Sequence, residues 1–325
     1  MIETLVLIEE DKTGISLRTG ELITAARNLG GRVGGVILSN DVKTLNDKFH
    51  KYGFDELFVV RHALLNQFSI DAHVIAFEQI CRRLNPKIVL IGKTVYGVNV
   101  GPRVAFRLGT GIAQDCTGVD RDDQGRLIAL RPVYGGSALA KVGFSGEGLS
   151  FVILRERVYD PIIGQNSLKP PKFVDIEVEI NESDISVNHL ERVFEETEGV
   201  KLEEASVVVA GGRGLGGPDP FSLLEELATI LGGSVAASRA ACDAGWVDHS
   251  YQVGLTGKTI APNLYITVGI SGASQHMAGC SGAKALVAID RDGQANIFKD
   301  AKYGVVGEWQ EVLPAFIEEI KNLVS

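Results

Sequence analysis

Cysteine is scarce: 325 residues hold four, Cys81, Cys116, Cys242 and Cys280, scattered along the chain. With no Cys-x-x-Cys and no Cys/His cluster at zinc spacing, neither a disulfide framework nor a structural zinc is expected, and the four read as reduced thiols. No run of 18 apolar residues occurs, so no membrane insertion is expected. The opening MIETLVLIEEDKTG has a short apolar run followed by acids, which suits a first strand better than a signal or transit peptide. Basic arms and tails are missing too. The balance of 32 basic against 41 acidic residues, a net charge of −9, argues against a phosphate-tracking nucleic-acid surface. There is no Ser-His-Asp order, nucleophile elbow or metal triad, which argues against a hydrolase. The expectation is a cytoplasmic protein with neither nucleic acid nor membrane as partner.

What the chain does have is 45% hydrophobic residues, 38 glycines and only 7% aromatics, a composition suited to β-α-β architecture. Its length fits two domains of roughly 130–190 residues each. In the first half, TLVLIE, RVGGVIL, ELFVV and KIVLIG read as strands. RTGELITAARNLG, VKTLNDKFHKYG, IDAHVIAFEQICRRLN and the small-residue stretch after Val98 read as helices, the third stopped by Pro86. Short apolar strands between helices imply a parallel, doubly wound sheet. From about Asp120, RLIALRPVYGGSALAKVGF and LSFVILR alternate around glycine pairs, which suggests an antiparallel hairpin added to that sheet. KFVDIEVEI reads as one more edge strand. The acidic, polar stretch 181–204 reads as a linker, placed over 191–204 between domains at 1–190 and 205–325.

The second half opens with a strand, ASVVVAG, entering Gly212-Arg213-Gly214-Leu-Gly-Gly217, which satisfies G-x-G-x-x-G before a helix. The acid expected about 20 residues later is replaced by Ser238-Arg239, and an Arg there suits a 2′-phosphate. An NADP-binding oxidoreductase subunit built on Gly212–Gly217 and Arg239 is therefore one reading. The second signal is YITVGISGASQHMAGCSGAKALVAID. Its Gly272 permits close backbone approach, Ser271 offers a donor, and the next helix presents free N–H groups. Gln275 and His276 are expected to project toward the same ligand, whereas His50, His62, His73, His189 and His249 read as ordinary satisfied residues. Four loops, 211–217, 238–246, 252–258 and 269–276, flank strands of one sheet. Together they describe a crevice for a large, multiply hydrogen-bonded dianion, lined by Arg213, Ser238, Arg239, Thr256, Ser271, Gln275 and His276.

GGRGLGG, SRAACDAGW, QVGLTGK and LYITVGISGASQHMAGCSGAKALVAID, in this order, resemble the FAD-binding domain of the electron transfer flavoprotein α subunit. The resemblance is strong over 205–325 and looser before it, where RTGELITAARNLGG and RPVYGGSALAKV fit. It implies a Rossmann-like FAD-binding domain behind a nucleotide-binding-like α/β domain that contacts a β subunit. It also implies that Arg213 and Arg239 lie near the flavin and that Ser238 and Ser271 meet the ribityl-pyrophosphate. Thr256 would reach the N5/O4 edge and His276 the N1/O2 side, with Val253, Leu255, Gly257, Gly272, Ala273 and Gln275 completing the contact. A cation and a donor there would stabilise negative charge on the reduced ring.

Three positions depart from the family pattern. Leu255 stands where a Gln is usual, Asp290 where an Asn is usual, and Glu308 where an Asp is usual, with Trp309 beside it as an adenine neighbour. The function implied is electron carriage with no substrate chemistry in this chain, between an acyl-CoA dehydrogenase or similar flavin dehydrogenase and an acceptor such as ferredoxin. Both simple carriers and electron-bifurcating complexes exist in that family.

Overall fold

The structure is a computed structural model that describes residues 2–11, 14–39, 49, 52–136, 138–146, 148–162, 170–187, 202–203 and 205–324. The chain divides into two compact units, one from Met1–Val133 and Leu139–Val193, the other from Tyr134–Ala138 and Phe194–Ser325.

The first unit holds β1 (Thr4–Leu7), α1 (Leu17–Leu29), β2 (Val33–Leu38), β3 (Glu56–Val60), α2 (Ile70–Leu84), β4 (Ile88–Gly92), α3 (Val95–Arg107), β5 (Ile112–Cys116), β6 (Gly118–Arg121), β7 (Leu127–Val133), β8 (Ala138–Gly143), β9 (Ser150–Leu154) and β10 (Lys172–Ile176). Its helices start and stop on local chemistry. The Ser69 hydroxyl caps α2 and the Thr94 hydroxyl caps α3, each accepting a backbone N–H. α1 ends at Gly30 with φ 78°, and α2 ends at left-handed Asn85 before Pro86. The seven-stranded sheet runs β10-β3-β2-β1-β4-β9-β5 and is parallel throughout. From β1 the chain builds outward through β2 and β3, then returns to β4 on the other side, so the order reverses between β1 and β4. One face of the sheet packs on α1 through Leu22, Ile23 and Ala26, the other on α2 and α3 through Phe77, Ile80 and Val104.

Two expectations fail here. β7 and β8 join β6 in a separate three-stranded sheet instead of extending the main one, and Ser150–Leu154 is not part of a hairpin. β9 is a parallel strand between β4 and β5, buried at all five positions. A strand covered on both faces reads as an unbroken apolar run, as SFVIL does. The helix expected over 42–53 and the linker over 191–204 fall largely outside the described residues.

The second unit holds β11 (Val207–Gly211), α4 (Phe221–Ile230), β12 (Ser234–Ser238), α5 (Arg239–Asp243), β13 (Gln252–Val253), β14 (Leu264–Val268), α6 (Ser274–Cys280), β15 (Leu286–Asp290), β16 (Tyr303–Val306) and α7 (Trp309–Val324). Its sheet, also parallel, runs β13-β12-β11-β14-β15-β16. That is the 3-2-1-4-5-6 order of dinucleotide-binding folds, with the reversal between β11 and β14. α4 and α7 cover one face through Leu224, Leu227, Leu313 and Ile317. Tyr265, Ile260, Cys280 and Ile297 fill the other. β12 runs straight into the short α5, where a loop was expected, and α6 is only seven residues long. Among the described residues no helix is long and apolar enough to cross a membrane.

Candidate functional site

The crevice between β11 and β14 is built from backbone. Gly212 N–H donates to the Val268 carbonyl at 2.9 Å and Gly214 N–H to the Gly269 carbonyl at 3.0 Å. A Cβ at Gly212 would land on the Gly269 carbonyl, and one at Gly214 would lie 2.8 Å from Gly269 Cα. The first two glycines of G-x-G-x-x-G therefore serve this chain-to-chain approach. Arg213–Leu215 form a 3₁₀ turn, Gly216 sits at φ 83°, and α4 begins only at Phe221. A dinucleotide fingerprint needs the turn itself to open the helix, so the NADP reading loses its main support. Arg213 is exposed and has no ion pair among the described residues.

At the end of β12, the Ser238 hydroxyl oxygen is buried with no hydrogen-bond partner among the described residues, and it does not cap α5 although it stands at the capping position. Arg239 follows it, exposed, its Nε 3.2 Å from Asp243 Oδ2. Exposed pairs of this kind hold a side chain weakly, so the guanidinium is available to an anion.

The 252–258 loop is stitched to α6. Leu255 N–H donates to the Gln275 carbonyl and Ile260 N–H to the Gly279 carbonyl, both at 2.7 Å. A Cβ at Gly279 would land on the Gly254 backbone, and Gly254 itself has φ 151°. Gln252 is buried. Its Nε2 donates to Thr256 Oγ1 at 3.0 Å, and its Oε1 lies 3.1 Å from His249 Nδ1. Leu255 turns its side chain outward, 56% exposed. Thr256, Gly257, Ser271, Ala273 and Gln275 are exposed on the same pair of loops, while Val253 is buried. Gly272, at φ 76°, lets this turn press against the Ile297 backbone.

His276 is placed differently from expectation. It is buried, its ring lies edge to edge with that of Tyr265, the planes 20° apart and the centroids 6.1 Å, and its Nε2 lies 2.8 Å from the Tyr265 hydroxyl. Burial lowers its pKa from 6.5 to about 4, so it is neutral at physiological pH. Asp290 ends β15, and Glu308 follows the neighbouring strand β16. Asp290 Oδ1 accepts from Asp292 N–H at 2.9 Å, and Glu308 is exposed, 4.0 Å from Arg291. Trp309 packs against the core beside Val312.

The corresponding crevice of the first unit is furnished with charge. Glu9 follows β1 and accepts from the Thr94 hydroxyl at 2.8 Å. Asp115, at φ 61°, takes Lys93 at 2.6 Å and Arg155 at 2.6 and 2.8 Å. Arg18 pairs with Glu156 at 2.8 Å, and Glu21 accepts from Arg157 N–H at 2.5 Å. Burial raises Glu9 and Glu21 to about 7 each. These side chains satisfy one another. A shallow depression elsewhere in this unit, lined by Gln79, Arg107 and Glu179 among others, is likewise self-satisfied: Gln79 bonds the Glu179 backbone and Arg107 pairs with Glu78.

Comparison with known proteins identifies the family of both units. Residues 4–181 match the family model of the electron transfer flavoprotein domain, and residues 201–281 that of the electron transfer flavoprotein FAD-binding domain. The chain belongs to the electron transfer flavoprotein family. It is 41% identical to the electron transfer flavoprotein subunit alpha of Thermoanaerobacterium thermosaccharolyticum, over 94% of this chain and 92% of that one. It is 36% identical to the Bacillus subtilis subunit alpha, over 94% and 93%. With subunit LctC of the lactate dehydrogenase (NAD(+),ferredoxin) of Acetobacterium woodii it shares 32%, over 94% and 73%.

The residues present fit FAD. A hydroxyl buried without a partner at a strand end, two exposed guanidiniums and a glycine-framed turn suit a long anionic cofactor. The second unit brings together Arg213, Ser238, Arg239, Thr256, Ser271 and Gln275 on its strand-end loops. Gln252 and Tyr265 escaped the sequence reading, although Tyr265 is a polar interruption in an otherwise apolar strand. Of the other histidines, His62, His73 and His249 each hydrogen-bond a neighbour, and His50 and His189 lie outside the described residues.

Proposed function

We propose that this chain is the FAD-carrying α subunit of a heterodimeric electron transfer flavoprotein, moving electrons between a flavin dehydrogenase, such as an acyl-CoA dehydrogenase, and a second redox partner. The observation that carries this is the coincidence of the FAD-binding match at 201–281 with the partnerless Ser238 hydroxyl at the strand-end crevice. FAD supplies the one- and two-electron chemistry when bound. The protein's part is to bind, orient and polarise. Ser238 and Ser271 donate to the ribityl-pyrophosphate. Arg213 and Arg239 place positive charge where reduction adds electrons, and Gln252 holds the Thr256 hydroxyl in one orientation for the ring edge. Leu255, Gln275 and the glycines at 257 and 272 shape the walls, and Asp290 with Glu308 meets the adenosine end.

The domain boundaries follow the same reading: 1–190 to contact the β subunit, 191–204 as linker, 205–325 for FAD. A carrier passes electrons by edge proximity alone, so the chain needs no substrate pocket. The kinship with LctC favours a low-potential acceptor such as ferredoxin as one partner. Purification together with its partner subunit tests the whole reading. A yellow complex whose flavin bleaches on stepwise reduction supports it, with one flavin marking a simple carrier and two a bifurcating complex. A colourless complex that takes up no added FAD overturns it.

A further inference from the structure

Tyr265 and His276 form an isolated polar pair in the core of the second unit. Tyr265 is fully buried in β14, and among the described residues the one partner of its hydroxyl is His276 Nε2, 2.8 Å away. The other imidazole nitrogen, Nδ1, is buried and makes no hydrogen bond of ordinary geometry to any described residue, with the Val253 backbone on its side of the ring.

This arrangement fixes the position of a proton. A phenolic O–H in a dry core needs an acceptor, and Nε2 is the one in reach. Nε2 therefore carries the lone pair and the ring hydrogen sits on Nδ1. The opposite tautomer leaves two groups unsatisfied, the phenolic hydrogen and the Nδ1 lone pair. An imidazolium is worse, because it removes the acceptor of the O–H and buries a charge. Free neutral imidazole in water prefers the hydrogen on Nε2, so the protein holds His276 against its own tendency.

We propose that Tyr265 is a positioning residue of the cofactor site: by donating to Nε2 it locks His276 as a neutral Nδ1–H donor at the root of the 253–257 loop. The ring cannot turn over without breaking the bond, since a flip about Cβ–Cγ puts Cε1–H where Nε2 meets the phenol. Nδ1–H is then directed to the side of Val253, where the loop bearing Leu255 and Thr256 begins. This rests on the reading of the second unit as the FAD site, but the tautomer itself does not depend on bound flavin.

The test uses the full chain with its partner subunit, labelled with ¹⁵N-histidine, and long-range ¹H–¹⁵N spectra at pH 7 with and without FAD. His276→Gln assigns the signal. The expected result is an Nδ1–H imidazole in both states. Tyr265→Phe, which keeps the ring and deletes the hydroxyl, is expected to release the Nε2–H form and to weaken FAD binding by about tenfold. An Nε2–H or cationic His276 in the unaltered protein overturns the proposal without any variant being needed. So does a Tyr265→Phe protein whose FAD dissociation constant is unchanged. If the unaltered complex binds no FAD, the functional reading falls while the tautomer result still stands.

Discussion

In the first sheet the carboxyl ends of β1 and β4 lead to Glu9, Lys93 and Thr94; in the second, those of β11 and β14 lead to Gly212, Gly214, Gly269 and Ile270. The two sheets share one topological device, a parallel order that reverses at the first strand. Topology alone would make either a nucleotide site. The loops decide between them. Side chains fill the first crevice: Asp115 pairs with Lys93 and Arg155, Glu156 with Arg18, and Glu9 and Glu21 accept from a hydroxyl and a backbone N–H. In the second, backbone meets backbone through glycine, a serine hydroxyl lacks a partner, and two arginines stand exposed. A fold offers positions for binding, and the residues at the strand ends determine which position is used.

The largest effects come from substitutions that attack this contrast at its glycines. Gly212→Val drives a side chain into the Gly269 carbonyl, where no flexible group can yield. The expected cost is more than about 3 kcal/mol, with loss of bound flavin. Gly97→Ala makes the equivalent collision in the first unit, against the Gly92 carbonyl, and should lower stability while the folded protein keeps its flavin affinity. Denaturant melts and FAD titrations of both variants check this. Flavin loss in Gly97→Ala, with the fold intact, would erase the contrast.

Next in size is an opposed pH dependence. Glu9 and Glu21 sit near 7 in the folded chain, against 4.5 as free groups. Their contribution is complete below pH 4.5 and is lost as pH rises through 7, because the unfolded chain gives up these protons first. His276 sits near 4 against 6.5, so its contribution is complete above pH 6.5 and is lost as pH falls toward 4. Each group is worth at most about 3.5 kcal/mol over its window, at ~1.4 kcal/mol per pH unit. Amide exchange, corrected for its intrinsic pH dependence, should show β1 and β4 better protected at pH 5 and β11 and β14 better protected at pH 7.5. Glu21→Gln should flatten the first trend and His276→Gln the second.

Smaller still is Ser238→Ala. Deleting a buried hydroxyl that has no partner should stabilise the flavin-free protein by about 1 kcal/mol and weaken FAD binding, opposite signs from one atom. Arg239→Ala should be smallest in stability, under about 0.5 kcal/mol, since its pairing with Asp243 is exposed. Its effect belongs to the flavin, whose midpoint potential should fall, as measured by equilibrium redox titration.

Much of this was readable from the sequence because it is local. Apolar runs bounded by Gly, Pro and capping hydroxyls marked the strands and helices of both units, and the Gly-Ile-Ser-Gly motif marked the tight turn after β14. What was not readable depends on partners distant in the chain. SFVIL is apolar whether it closes a hairpin or lies between β4 and β9's other neighbour, β5, and only the long-range pairing distinguishes these. The fingerprint at Gly212 was misleading for the same reason: its glycines answer to Gly269, far along the chain. His276 was expected to project toward a ligand because nothing in the Gln-His pair announces its bond to Tyr265 in the preceding strand. Gln252 gave no signal that it holds Thr256, since the bond depends on how the loop closes.

The most direct test of the central claim is hydrogen–deuterium exchange of the full complex with and without FAD. The account predicts protection confined to 211–217, 238–246, 252–258 and 269–276, with residues 8–11, 14–21, 92–95 and 154–157 of the first crevice unchanged. Protection at the first crevice, with the four glycine-framed loops unaffected, would contradict it.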